Sequence, residues 1–177
     1  MVKRVILFAL VVGLMGCQKK ENETMKIVKS TLKDPESAEF RNVKGYCGEV
    51  NAKNSYGGYT GFDKFYVSDQ IPVFVNKDEL LEFNLGWVAH CESKSKLSQA
   101  EKASCAAIAN FSAAVVENKL IISSKDPVKN LVKDKKDANF YLKIIDDVFD
   151  NKSIKDPNEY ALKVLNDCLA GKIKAPV

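Results

Sequence analysis

Hydrophobic and polar positions change period several times along this chain. Val5 to Met15 is an unbroken apolar run, and a polar stretch from Gln18 to Thr24 lies behind it. Met25, Val28 and Leu32 then recur at helical spacing, which predicts a short helix over 24–32. Asp34-Pro35 stops it, because the residue before a proline is pushed out of the helical region. From Glu39 the runs shorten. Glu39–Val43, Tyr46–Lys53, Phe62–Ser68, Pro72–Asn76 and Phe83–Cys91 are rich in aromatic and β-branched residues, are parted by Gly, Asn, Asp or Ser, and read as strands.

Glu92-Ser93-Lys94-Ser95-Lys96 is a polar connector, and beyond it the spacing turns helical. Ser98 with Glu101 forms a capping box, ahead of a stripe of Cys105, Ile108, Phe111, Ser112 and Val115. Asp126-Pro127 supplies a cap and a first-position proline before Val128, Leu131 and Val132. Asp137 is expected to cap a helix carrying Tyr141, Ile144, Ile145, Val148 and Phe149. Asp156-Pro157 repeats the cap, and the last helix presents Tyr160, Ala161, Val164, Leu165, Cys168 and Leu169 before Gly171 stops it. The expected fold class is α+β. An N-terminal helix packs on a small antiparallel sheet of about four strands over 24–91, and a disulfide-closed helical bundle follows over 97–171.

The leading apolar run sets the compartment. Met1-Val2-Lys3-Arg4 is a short positive segment before it. Eleven residues of helix span about 16 Å, whereas a bilayer core needs about 20 residues, so 1–16 reads as a secretory signal and not a membrane span. Leu14-Met15-Gly16-Cys17 resembles the lipobox of bacterial lipoproteins; Leu14 and Gly16 fit it well and Met15 is a less usual choice. The resemblance implies cleavage before Cys17, diacylation of Cys17 and, as a rule, acylation of the new amino terminus. Two or more acyl chains hold a protein stably on a membrane, each buried CH₂ contributing about 0.8 kcal/mol. Residues 17–23 would then be a lipidated tether of at most roughly 25 Å, at about 3.5 Å per residue. Gln18, where the enteric sorting pattern has Asp for inner-membrane retention, favours by that resemblance the outer membrane over the inner, with the body facing the periplasm.

Composition narrows the classes. With 46% apolar and 28% charged residues in 177, the chain has enough apolar content for a core, which excludes wholesale disorder. A net charge of +4 is too balanced for a dedicated nucleic-acid binder, so no nucleic-acid partner is expected. Outside the signal the chain has a single arginine, Arg41. Arginine is the usual residue for bidentate anion recognition, so its scarcity argues against an anion-reading site, although codon bias explains the same count.

Five cysteines is an odd number for an exported chain. With Cys17 lipidated, Cys47, Cys91, Cys105 and Cys168 remain, and an even count in an oxidising compartment reads as two disulfides. Three connectivities are open. Cys47–Cys91 with Cys105–Cys168 is favoured because each bridge then stays inside one half. Halves of about 70 residues rarely gain more than about 3–5 kcal/mol from a core alone, so staples are expected. A metal or redox site is disfavoured: no Cys-x-x-Cys occurs, and zinc ligands would come from distant segments.

The stretch most suggestive of binding is Tyr56-Gly57-Gly58-Tyr59-Thr60-Gly61-Phe62. Glycines let a backbone approach a ligand closely, and tyrosines give large contact area at low entropic cost. A hairpin connection whose glycines supply positive φ accounts for the same residues. Leu32-Lys33-Asp34-Pro35-Glu36-Ser37-Ala38-Glu39-Phe40-Arg41, then Cys47-Gly48-Glu49-Val50-Asn51-Ala52-Lys53-Asn54 and Tyr56–Phe62, resemble a module of small exported proteins and lipoproteins of proteobacteria. The resemblance covers roughly 24–91, with Trp87 and Cys91 near its end, and implies a domain boundary and an envelope location but no particular activity. The helical half looks only loosely like small periplasmic helical domains closed by one disulfide.

Other constellations favour plain structural readings. His90 beside Cys91 invites a thiol–imidazole pair, but neighbours on a strand point to opposite faces. Asp146 and Asp150 share a helix face, with Asp147 beside them; without calcium-loop spacing this reads as a solvated face. Lys133, Lys135 and Lys136 suit anionic head groups or, more simply, a solvated helix end. No hydrolase, zincin or nucleotide fingerprint occurs, so no catalytic residue, metal or cofactor is expected beyond the lipid on Cys17. The expected function is a non-enzymatic, membrane-anchored envelope protein that binds a protein or cell-wall partner through Tyr56, Gly57, Gly58, Tyr59, Gly61 and Phe62. The alternative is a protective lipoprotein of immunity, hydrolase-inhibitor or phage superinfection-exclusion type. An enzyme is the third class.

Overall fold

The structure, a computed structural model, describes residues 18–76 and 78–176. Residues 1–16, expected to be a secretory signal, and Cys17 lie outside the described residues. The chain is α+β and divides into two compact units, the first ending at Asp78 and the second beginning at Glu79.

In the first unit, helix α1 (residues 18–29) precedes a 3₁₀ turn at Pro35–Ser37. Strands β1 (Glu39–Lys44), β2 (Cys47–Asn51), β3 (Asp63–Ser68) and β4 (Ile71–Phe74) follow as an antiparallel meander in the order β1-β2-β3-β4. Val28 of α1 is buried with Val50, Phe65 and Val67 of the sheet. The Phe65 ring meets Phe40 edge-on at 6.0 Å and Phe74 at 6.5 Å. Gly48 lies against that ring: a Cβ on it would stand 2.9 Å from Phe65 Cζ. This close approach explains a glycine inside a strand.

Among the described residues helix α1 covers 18–29, whereas the expectation was 24–32. The polar stretch read as an extended tether is helical, and tertiary contacts account for it. The Lys20 ammonium sits 4.0 Å from the Tyr46 ring centroid. Thr24 is wholly buried, and its hydroxyl donates to the Gly45 carbonyl at 2.7 Å. Residues 18–23 therefore rise only about 9 Å, less than half of what an extended chain would span.

The second unit is helical: α2 (Leu80–Trp87), α3 (Gln99–Ile121), α4 (Asp126–Val132), α5 (Ala138–Asp150) and α6 (Pro157–Leu169). The expected strand at Phe83–Cys91 is instead α2, continued by a π turn over Val88–Glu92. The reason is a four-residue period hidden among aromatic residues. Leu81, Leu85 and Ala89 face one core, and Phe83 stacks on Trp87 at 6.0 Å. Cys91 consequently lies in a helical turn of the second unit, while Cys47 lies on β2 of the first, so the two are not both strand residues of one half.

Helix α3 has two buried stretches. Cys105, Ile108, Ala109 and Ala113 pack with Leu85 and Ala89 of the α2 segment and with Ala161, Val164, Leu165 and Cys168 of α6. Val115 and Val116 pack with Val128, Val132, Ile145 and Val148. Lys119, in its last turn, donates to the carbonyls of Val148, Asn151 and Ile154 at 2.7, 2.6 and 3.2 Å. One ammonium thus ties the end of α5 to the α5–α6 connection.

Local capping chemistry decides most helix ends. Ser98 Oγ accepts from the Glu101 amide at 3.2 Å, and the Glu101 carboxylate accepts from the Ser98 amide at 2.8 Å. Asp156 Oδ1 accepts from the amides of Asn158 and Glu159. Helix α6 ends in a Schellman motif, with the Lys172 amide on the Asp167 carbonyl and the Gly171 amide on that of Cys168. Two caps differ from expectation. Asp126 is already inside α4, and Ser124 Oγ accepts its amide at 3.2 Å. Asp137 has a left-handed φ of 65° and makes no side-chain cap. Leu131, expected in the core, is 73% exposed. It lies about 80° around α4 from the midline of Val128 and Val132, which bury the inner face.

Cys105 and Cys168 are bridged, with Cα atoms 5.6 Å apart, and tie α3 to α6. Cys47 and Cys91 are each in the disulfide-bonded state. Replacing Cys105 and Cys168 together with alanine is expected to lower stability by about 4 kcal/mol, the loop-entropy value for such a separation. Urea unfolding followed by circular dichroism checks this, and an unchanged midpoint would refute it.

Candidate functional site

The Tyr56–Phe62 segment belongs to the connection between β2 and β3, and its order comes from three supports. The first is internal. Lys53 and Tyr59 form an isolated antiparallel bridge, and Asn54 closes the tip. The Asn54 amide donates to the Gly58 carbonyl, and the Gly57 amide to the Asn54 carbonyl, both at 2.9 Å. Asn54 Oδ1 also accepts from the amides of Tyr56 and Gly58, at 2.9 and 3.1 Å. Gly57 carries a φ of 78°, the left-handed conformation such a tip requires.

The second support is Ser37, in the turn after α1. Its hydroxyl accepts from the Lys53 amide at 2.9 Å, and its carbonyl accepts from the Tyr59 hydroxyl at 3.3 Å. The third is Arg41. Its guanidinium lies 4.0 Å over the Phe62 ring and pairs with Glu49 at 2.5 Å. Asn42 also donates to Glu49, at 3.0 Å. The hydrogen bond from Arg41, and then that from Asn42, holds the Glu49 carboxyl below its ordinary pKa. Arg41, one of the chain's two arginines, therefore clamps an aromatic side chain at the foot of the loop.

These supports sort the expected residues. Tyr56 is 97% exposed at the tip and Tyr59 is 48% exposed. Gly57, Gly58 and Gly61 offer backbone around them and are exposed. Phe62 is half-buried under Arg41, so it positions the loop. Asn54, Ser37 and Arg41 were not among the expected site residues. Asn54 was legible in principle, since an asparagine side chain commonly accepts from the backbone two residues on and so forms turns, and Gly57-Gly58 follow three residues later. Ser37 and Arg41 act across long sequence separations, which no local pattern displays.

The acidic cluster has a different character. A cleft of about 860 Å³ in the second unit is lined by residues of α5, α6 and their connection, including Asp146, Asp147, Asp150, Asp156, Glu159 and Tyr160. Asp146 lies 2.6 Å from Lys125 Nζ and 2.7 Å from Lys129 Nζ, and Asp150 lies 2.8 Å from Lys125. Asp146 and Asp150 do share a face, but that face is an ion-pair network joining α4 to α5, not simply a solvated one. Hydrogen bonds from Lys125 and Lys129 depress the Asp146 pKa, and those to Asp146 and Asp150 raise that of Lys125. Burial, and then Asp147, raises that of the Tyr160 hydroxyl. His90 is buried in the π turn, with Nδ1 paired to Gln99. Lys133, Lys135 and Lys136 are exposed beyond α4. Among the described residues, no group of three or more His, Cys, Asp or Glu could hold a metal ion, and no helix is long and apolar enough to cross a membrane.

No protein-family model, curated protein or solved structure matches the chain.

Two predictions follow from this geometry. In Asn54→Ala, amide hydrogen exchange at Tyr56 and Gly58 should accelerate roughly five-fold for each lost hydrogen bond of about 1 kcal/mol, while the Phe65 amide stays slow. Equal protection in both proteins would show that Asn54 does not order the tip. The ion-pair network makes a pH prediction. Asp146 has a folded pKa below its ordinary value of 3.8, so its stabilisation is complete above that value and fades as pH falls through the lower folded one. The stability advantage over Asp146→Asn, followed by thermal unfolding at successive pH values, should be level above 3.8 and shrink below it.

Proposed function

We propose that this chain is a lipoprotein anchored through Cys17, facing the periplasm from the outer membrane, and that it acts as a non-enzymatic binding protein with a protein partner. The observation that carries the binding reading is Tyr56, 97% exposed at the tip of a loop held by its own hydrogen bonds. An aromatic side chain on an ordered backbone loses little freedom on binding and offers a large contact area. The anchor reading is supported by Leu14-Met15-Gly16-Cys17 and by the disulfide-bonded state of the other four cysteines, which suits an oxidising compartment. The non-enzymatic reading draws on how the reactive groups are engaged. Cys47, Cys91, Cys105 and Cys168 are oxidised, His90 is paired to Gln99, and Asp146 and Asp150 are paired to lysines.

Crosslinking of the anchored protein in intact envelopes tests this. The double change Tyr56→Ala with Tyr59→Ala is expected to weaken capture of a defined protein adduct about 30-fold, as loss of a contact worth about 2 kcal/mol would, with the thermal midpoint lowered only slightly by loss of the Tyr59–Ser37 hydrogen bond, and Tyr56→Ala alone is expected to weaken capture with the midpoint unchanged. An undiminished adduct would remove the loop from the binding reading. Tyrosine-dependent retention on isolated wall sacculi, with no protein adduct, would make the partner the wall instead. Cys17→Ser is expected to abolish membrane retention and the acyl mass increment.

A further inference from the structure

The contacts of α1 give the first unit two distinguishable ends. Cys17 is bonded to Gln18, and neighbouring Cα atoms are about 3.8 Å apart, so an acylated Cys17 brings the start of α1 to the bilayer surface. Helix α1 is not free to swing from that point. Lys20 lies over Tyr46, Thr24 donates to the Gly45 carbonyl, and Val28 is buried in the core. The β1–β2 turn at Lys44–Tyr46 therefore lies beside the first half of α1. The β3–β4 turn lies at the same end of the sheet, since Cys47 pairs with Tyr66 and the Val67 amide donates to the Tyr46 carbonyl at 2.8 Å. Strand β2 runs away from this end. The Lys53–Tyr59 loop stands beyond its far end, held by Ser37 after α1 has closed. The rise of α1, about 18 Å, and that of β2, about 17 Å, agree on the separation of the two ends.

We infer that the first unit docks end-on to the bilayer, with the start of α1 and the two hairpin turns as its membrane-facing surface and the Tyr56 loop at the opposite end. The inference rests on the proposed acylation of Cys17. The docking end carries side chains suited to a lipid surface. Ile71, the first residue of β4, is 65% exposed, and Lys19 and Lys44 are exposed cations within reach of phosphate head groups. Asp69 is the acidic residue of the β3–β4 turn. Because residues 18–23 are helical and packed, the short lead from the anchor fixes an orientation as well as a distance. Tyr56 is then held at least about 17 Å out from the docking surface, where a partner in the aqueous space reaches it.

The test uses acylated full-length protein bound to preformed vesicles of phosphatidylethanolamine and phosphatidylglycerol. Lysines are labelled with a membrane-impermeant amine reagent and read by mass spectrometry, with the Cys17→Ser protein in the same vesicles as reference. Labelling of Lys19 and Lys44 is expected to slow several-fold relative to the reference, while Lys33, just past the end of α1, keeps its rate. Lys44 is the decisive position, because Lys19 lies close to the anchor in any orientation. An unchanged rate at Lys44 with Lys19 still protected would overturn the docking and leave the anchor standing. Equal protection at Lys33 and Lys44 would mean that the unit lies flat, and overturns it too. Failure of the native protein to stay on the vesicles would overturn the anchor reading, and the docking with it.

Discussion

Burial of Val28 against Val50, Phe65 and Val67 is the contact on which the first unit depends. A small meander sheet has an apolar face that must be covered, and α1 is the helix that covers it. Full burial of side chains of this size contributes about 1.5–3 kcal/mol each. Phe65 adds a steric demand, since its ring occupies the space where a side chain at Gly48 would stand. The same seam sets direction. With Thr24 hydrogen-bonded to Gly45 and Ser37 to the Lys53 amide, the first half of the helix is matched to one end of the sheet and the turn after it to the other. The proposed anchor and the exposed tyrosines thereby become opposite ends of one rigid element.

The second unit is organised around α3, which contributes to both of its cores. Near one end of α3 the Cys105–Cys168 bridge holds α6, and at the other Lys119 closes α5 through three carbonyls. The cross-link restricts the unfolded chain, while the ammonium makes charge-assisted hydrogen bonds that join the end of α5 to the connection beyond it. Charge works in the same structural way beside the cleft. Lys125 and Lys129 neutralise Asp146, and Lys125 reaches Asp150 as well. An acidic run that looks available in the linear chain is thus largely committed to holding α4 on α5.

The contrast with the Tyr56 loop is informative. There the polar groups serve the backbone and the base: Asn54 orders the tip, Ser37 ties the bridge residues, and Arg41 clamps Phe62. The tyrosine at the summit is left to solvent. Rigid support beneath an exposed aromatic group is the arrangement that lowers the entropic penalty of binding.

Features governed by chemistry within a few residues were legible directly. The Ser98–Glu101 box, the Asp156 cap and the Gly171 stop lie where their side chains and carbonyls meet at short range. The first four strand runs, the α+β class and the Cys105–Cys168 bridge follow from period, composition and the two facing stripes. The aromatic-rich segment before Cys91 was misread, because Phe83 and Trp87 resemble strand residues until their stacking across one helical turn is seen. The helical state of residues 18–23 depended on Tyr46 and Gly45, more than twenty residues away, and the bracing of the loop on Ser37 and Arg41. By itself the sequence determined which segments can be helix or strand, because caps, periodicity and proline act locally. The tertiary structure alone decided which end of the sheet lies beside the start of α1 and which tyrosine stays exposed, because those outcomes depend on burial and hydrogen bonds between residues that only the fold brings together.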